Sequence, residues 1–180
     1  MRAVLKSGLK RFRRRARVDA STELLYAGEQ FTPSQVGFFS RRTMRILVVD
    51  DNSQVRAAIL SILMTDPRLE IVSEAANGSQ ALELAQNLQP DLILLDIGLP
   101  DLNGLEVAQH LARLAPSCGI LFLSQHTSSE IVRSSLNCGG LGYVVKADAA
   151  LELVPAILAA GSGRKYLSKR VRGAETDSDS

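Results

Sequence analysis

Asp96 closes a run of apolar residues, Leu92-Ile93-Leu94-Leu95, and leads straight into Gly98-Leu99-Pro100, so a carboxylate stands at the end of what reads as a buried strand. A second apolar run, Ile46-Leu47-Val48-Val49, ends in the adjacent acids Asp50 and Asp51. Two further runs, Ile120-Leu121-Phe122-Leu123 and Tyr143-Val144-Val145, end at the hydroxyl of Ser124 and the ammonium of Lys146. In a parallel sheet covered by helices, the carboxyl ends of the strands form the crevice where ligands sit. Acids gathered at such an edge repel one another unless a cation joins them, and Mg²⁺, a hard ion that takes oxygen ligands, is the natural one. Carboxylates, a divalent metal, a hydroxyl and an ammonium together suit phosphoryl transfer.

The elements that must position these groups are legible from periodicity. Strand-like runs at 46–49, 69–72, 92–95, 120–123 and 143–145 alternate with segments of helical period, which predicts five βα units and a five-stranded parallel sheet. In the first helical segment Val55, Ala58, Ile59, Ile62 and Leu63 fall on one face, with Ser53 as N-cap. Asn77-Gly78 and Pro90-Asp91 mark turns, Asn103-Gly104 opens a helix, and Cys138-Gly139-Gly140 closes one. Pro155 sits inside the last helical pattern, beside Leu151, Val154 and Leu158, and predicts a kink or a broken first half.

Four motifs in this order resemble the receiver domain of two-component response regulators, the CheY-like family, over residues 44–163. They are Val49-Asp50-Asp51-Asn52, the stretch from Leu95-Asp96-Ile97-Gly98 to Asn103-Gly104, Leu123-Ser124, and Gly142-Tyr143-Val144-Val145-Lys146. Any one alone is a weak signal, since strands ending in two acids occur in unrelated α/β enzymes. Ser124-Gln125-His126 and the stretch from Gly142 to Asp148 are most similar to the NarL/FixJ-type subgroup. The resemblance implies a flavodoxin-like, doubly wound (βα)5 fold with helices on both faces. It also implies a task for each group: Asp96 as phosphoacceptor, Asp51 as a direct Mg²⁺ ligand and Asp50 as one acting largely through water. Asp96 itself and the backbone carbonyl of Gly98 would complete the metal's protein ligands, and Lys146 would pair with a phosphoryl oxygen. Ser124 and Tyr143 would form the switch, the hydroxyl moving to the phosphoryl group and the ring rotating inward. The implied partners are a sensor histidine kinase or phosphotransfer protein, an output protein, and a second copy on phosphorylation. Gln125, Ala147, Gly98 and His126 depart from or modulate the wider pattern: Gln125 is bulkier than usual beside the path of Tyr143, and Ala147 replaces a frequent cis-proline.

Composition bounds the rest. At 180 residues, 46% hydrophobic and 4% aromatic, the chain can bury one core, of about 120 residues. Cys118 and Cys138 share no metal-ligand spacing, and neither do His110 and His126, which suits a reducing, cytoplasmic setting. No run approaches the roughly 18 apolar residues of a membrane span. Residues 1–43 hold ten Lys or Arg against three acids, a balance of +7, while residues 44–180 hold eleven against sixteen, a balance of −5, which together give the net +2. The run Lys10-Arg11-Phe12-Arg13-Arg14-Arg15-Ala16-Arg17 could meet nucleic acid or an anionic membrane, and it also mimics a transit peptide. Met44 directly before the first strand makes residues 1–43 equally readable as a start-site artefact, and their composition predicts a disordered extension. Three segments are thus expected: the extension 1–43, the receiver 44–163 and a polar tail 164–180. NarL/FixJ-type regulators continue into a helix-turn-helix domain, for which that tail is too short. The expectation is a stand-alone receiver working through protein contacts rather than nucleic acid, or a truncated DNA-binding transcriptional regulator. A Mg²⁺-dependent phosphohydrolase using Asp96 as nucleophile, as in haloacid-dehalogenase-type enzymes, would need an acid two residues on, where Gly98 stands. Turnover beyond self-catalysed phosphorylation and dephosphorylation is therefore not expected.

Overall fold

A computed structural model describes residues 43–172. The basic run and the acidic end of the tail lie outside the described residues. Strands and helices alternate from the start: β1 (Met44–Val49), α1 (Ser53–Leu63), β2 (Leu69–Ala75), α2 (Gly78–Leu88), β3 (Leu92–Asp96), α3 (Gly104–Leu114), β4 (Gly119–Ser124), α4 (Ser129–Asn137), β5 (Gly142–Val145) and α5 (Ala149–Gly161). A short strand, β6 (Tyr166–Leu167), and a single helical turn, α6 (Lys169–Arg172), follow. All strand pairings are parallel, and the sheet order is β2-β1-β3-β4-β5-β6. The order steps outward in both directions from β1 and β3, so their carboxyl ends flank the point where the winding reverses, where a doubly wound sheet opens its ligand crevice.

Alternation along the strands divides the core into two layers. Leu47, Val49, Ile93, Leu95, Phe122, Tyr143 and Val145 face α2, α3 and α4, meeting Ala81, Ala85, Val107, Leu111 and Val132. Ile46, Val48, Leu92, Leu94, Leu121, Leu123 and Val144 face α1 and α5, meeting Ile59, Leu63, Leu153, Ala156 and Ile157. Because both faces are covered, β1, β3, β4 and β5 read as continuous apolar runs. Each Leu, Ile or Val buried there contributes about 1.5–3 kcal/mol, which makes the strands rigid supports for whatever stands at their ends.

Four expectations need correction. The sheet has six strands, not five: β6 adds to the β5 edge through Gly142↔Tyr166 and Tyr143↔Leu167, inside what reads as a polar tail. Two residues are too few to show a period, so the sequence gives no strand signal there. The N-cap of α1 is Asn52, whose side chain accepts from Gln54 N at 2.9 Å and Val55 N at 3.3 Å; Ser53 is the first helical residue. Ala58 is exposed while Ile59 and Leu63 carry the buried face. Pro155 does not break α5, which runs unbroken from Ala149 to Gly161. Pro155 and Leu151 both face solvent, where water can meet the carbonyl that the proline ring leaves without a donor. The α3 start is as expected, with Asn103 and Glu106 forming a reciprocal capping box, and Gly139 after α4 takes a left-handed φ of 92°. Among the described residues no peptide bond is cis, and no helix is long and apolar enough to cross a membrane.

Candidate functional site

The carboxyl ends of β1, β3, β4 and β5 bring the chemically promising residues together. Asp50 is fully buried, its Oδ1 accepting from Asn52 N at 3.0 Å and its Oδ2 meeting Lys146 Nζ at 2.6 Å. Apart from that ion pair, Asp50 Oδ2 has no hydrogen-bond donor. Lys146 Nζ also lies 2.8 Å from Asp96 Oδ2, so one ammonium bridges the ends of β1 and β3 from the end of β5. Asp51, next to Asp50, is exposed. One oxygen from each of Asp50, Asp51 and Asp96 falls within 4.8 Å of the others.

The electrostatics of this cluster are unbalanced. Burial would pull the Lys146 ammonium below the usual lysine range, but its hydrogen bonds to Asp50 and Asp96, with their charges, outweigh burial and hold it above that range. Lys146 therefore stays charged. Three carboxylates against one ammonium still leave two negative charges unmatched, in a crevice open to water. Hard oxygen donors clustered at one point, one of them met only by the Lys146 ammonium and one solvent-facing, fit a divalent cation that keeps some of its waters. Gly98 lies over this group: a Cβ there would stand 3.8 Å from Asp96 Oδ2, an ordinary contact, so space alone does not require glycine.

The hydroxyl and ring expected to form a switch lie on the adjoining edge. Ser124 is buried, its Oγ accepting from His126 N at 3.2 Å. Tyr143 is also fully buried and its Oη donates to the His126 carbonyl at 2.9 Å. Burial pushes the Tyr143 phenol up, with the Asp96 charge adding to the rise and the Ser124 hydroxyl opposing it. The ring thus lies inside, with its hydroxyl held on the His126 carbonyl. Gln125 is exposed. A hollow of about 350 Å³ joins these groups, lined by Asp51, Asp96, Gly98, Ser124, His126 and Lys146 among others. Two larger hollows, of about 460 and 670 Å³, lie at the opposite end of the sheet and beside α5; neither reaches any of the three clustered acids.

Three residues that the sequence did not single out frame the site. Arg56 on α1 donates from Nη1 to the Asp50 carbonyl at 2.8 Å and pairs through Nε with Glu74 Oε2 at 3.1 Å. Asp101, in the loop carrying Gly98, caps α2 from outside, accepting from Gly78 N at 2.7 Å, Ser79 N at 2.9 Å and Ser79 Oγ at 2.7 Å. The Ser79 hydroxyl first, then these amides, hold its carboxyl well below the usual range. An arginine one turn into a helix and an acid after a proline look like surface residues. Only Arg56 carried a signal, its position five residues beyond the acid pair. His110, His126 and the free thiols Cys118 and Cys138 join no acidic cluster of metal-binding kind among the described residues, and burial pushes the Cys118 thiol up to about 12.

Residues 46–158 match the family described as response regulator receiver domain. The DNA-binding transcriptional activator DevR/DosR of Mycobacterium tuberculosis is 34% identical over 131 residues, 73% of this chain and 60% of that protein. The nitrate/nitrite response regulator protein NarL of Escherichia coli is 36% identical over 124 residues, 69% of this chain and 57% of its own length. Among solved structures, a LuxR-family two-component response regulator from Aurantimonas sp. SI85-9A1 superposes with a TM-score of 0.71 at 32% identity, covering 74% of this chain and 97% of that one. The chain spans about 60% of the length of the curated relatives it matches. With a match over more than half its length, a six-stranded parallel sheet wound in receiver order and acids at the ends of β1 and β3, the chain belongs to the response regulator receiver domain family.

Proposed function

We propose that the chain accepts a phosphoryl group on Asp96 from a phosphohistidine of a sensor kinase or phosphotransfer protein and signals through changed protein contacts. The observation that carries this reading is the Lys146 bridge between Asp50 and Asp96 beside Asp51, which puts a nucleophilic carboxylate, a fixed cation and clustered acidic oxygens around one point. In the transfer a bond forms between an Asp96 oxygen and phosphorus as the P–N bond breaks, and its electron pair returns to the imidazole nitrogen. Mg²⁺, held by Asp50, Asp51, Asp96 and the Gly98 carbonyl, would supply charge stabilisation for the phosphoryl oxygens. Lys146 would exchange its carboxylate contact for a phosphoryl oxygen, with little reorganisation because its ammonium is already at the site. Ser124, whose hydroxyl accepts from His126 N and also meets the Tyr143 hydroxyl, would turn its proton to that phosphoryl group.

The receiver unit would comprise about residues 44–163, with β6 and α6 appended to it. Its readout face would be α4, β5 and α5, whose strand bears Tyr143, and a small shift in populations would carry the signal. Relatives named as transcriptional activators and regulators favour gene control in the cytoplasm as the output, through a DNA reader elsewhere in the pathway or protein. Sustained phosphatase turnover is disfavoured by Gly98, which provides no acid or base two residues beyond the nucleophile.

Intact mass after incubation with acetyl phosphate and Mg²⁺ tests the proposal. One added phosphoryl group, absent from Asp96→Ala and from a chelated sample, is expected. Steady phosphate release without a stable adduct would instead indicate a hydrolase, and the absence of both adduct and release would overturn the acceptor reading.

A further inference from the structure

One cation touches the frame of the acidic cluster rather than its carboxylates. Arg56 turns back from the first turn of α1 to the end of β1, where its Nη1 meets the Asp50 carbonyl at 2.8 Å and reaches the Asp51 carbonyl at 3.4 Å. Its Nε holds Glu74 Oε2, near the end of β2, at 3.1 Å. One planar group therefore ties the ends of two strands to the start of a helix. The pair is only partly solvated, with side chains 17% exposed for Arg56 and 41% for Glu74.

The Asp51 carboxylate needs such a frame. Asp50 is fixed by burial, by Asn52 N and by Lys146, but the Asp51 side chain makes no hydrogen bond or ion pair to any described residue. Its placement rests on its backbone, and Arg56 is bonded to the Asp50 and Asp51 carbonyls, which flank the Asp51 Cα. Glu74 opposes the guanidinium charge, which would otherwise repel a cation arriving at the acids.

We propose that Arg56, held by Glu74, is a positioning residue that fixes the Asp50–Asp51 turn and so aims the Asp51 carboxylate at the cation site. This rests on reading the acid cluster as a Mg²⁺ site. A lysine could replace the charge but not the fork that spans a carboxylate and two carbonyls. Partners that orient ligands in this way typically contribute 10- to 100-fold to metal affinity.

Calorimetric titration of MgCl₂ into the full chain, without any phosphodonor, tests it. Arg56→Ala should weaken Mg²⁺ binding about tenfold, and Arg56→Lys should stay close to the alanine value. Glu74→Gln, which keeps an acceptor but leaves the guanidinium charge unopposed, should weaken binding by a smaller factor that shrinks as salt rises. Amide spectra should show Asp51 and Asn52 shifting in Arg56→Ala while β3 and β5 stay unchanged. Equal Mg²⁺ affinity in wild type and in all three variants would overturn the proposal while leaving the site intact. Absence of Mg²⁺ binding by the wild type would overturn the site reading itself. Should Arg56→Ala not fold, the other two variants decide, since unchanged affinity in both sinks the positioning role.

Discussion

Two acidic sites adjoin β5, and they are built on opposite principles. At its carboxyl end, Asp50 and Asp96 share the single ammonium of Lys146 while the neighbouring Asp51 has no ion pair among the described residues, and Asp50 Oδ2 has no other partner. At its outer edge, Glu152 of α5 is also buried, but no second acid crowds it in that network: the Ser168 hydroxyl donates to it, as does Lys169 N at 3.3 Å, while Ser168 Oγ accepts from Val145 N at 3.0 Å. The satisfied cluster latches β6 and α6 to the sheet, aided by the paired contacts of Arg170 with Asp148. The unsatisfied one has negative charge left over and water access. A lone buried acid held by donors from the fold is architecture, whereas an acid crowded by like charges at a water-accessible edge is poised for a ligand.

Several measurements would break or sharpen that contrast. The largest effect is expected from Lys146→Ala, which leaves Asp50 and Asp96 without their cation. It should cost about 3 kcal/mol in urea unfolding without metal and recover in part when Mg²⁺ is added; a loss that Mg²⁺ leaves untouched would speak against a shared cation site. Ser168→Ala should cost about 2 kcal/mol, because it strips donors and acceptors from Glu152 and Val145 N, and it should leave Mg²⁺ affinity unchanged. If Mg²⁺ binding fell with it, the two clusters would not be independent. Asp51→Asn should act in the opposite sense on stability. Removing one of three crowded charges should raise metal-free stability by about 1 kcal/mol while Mg²⁺ binding is lost, whereas the same change at an engaged acid such as Glu152 should only destabilise.

The pH dependence separates the clusters more gently. Lys146 titrates above the ordinary lysine range, so its ion pairs contribute fully below the unfolded lysine pKa of about 10.4 and are lost as pH rises through the higher folded value. Replacing Lys146 by Met should flatten that alkaline limb. Asp101 is shifted the other way: its contribution is present above the unfolded carboxylate pKa of about 3.9 and disappears as pH falls through its depressed folded value. Asp101→Asn should therefore change only the acid limb, read by circular dichroism between pH 4 and about pH 2.

The parts of this arrangement that could be read in advance share one property, which is that they are local. The runs ending in Asp50, Asp96, Ser124 and Lys146 are strands buried on both faces, so their apolar continuity marks the strand and its polar terminus marks the crevice. Asn103-Gly104 and Gly139 announced helix ends because capping chemistry acts within a few residues. Even so, the choice between Asn52 and Ser53 as cap turned on backbone geometry, since either side chain could accept the first amides.

What the sequence alone determined was the alternation of strands and helices and the set of charged and hydroxyl groups delivered to one sheet edge. What only the tertiary structure decided was pairing across distance. It added β6 to the β5 edge, because two residues can form a strand only where a neighbour supplies the hydrogen bonds and a buried Glu152–Ser168 contact anchors them. It turned Tyr143 inward onto the His126 carbonyl and let Pro155 stay in an unbroken α5 by facing it to water. It joined Arg56 to Glu74 and Asp101 to Ser79, partners 18 and 22 residues apart, whose meeting depends on how strand ends and loops are stacked. Those contacts depend on the packed sheet, which sets distances that no spacing along the chain encodes.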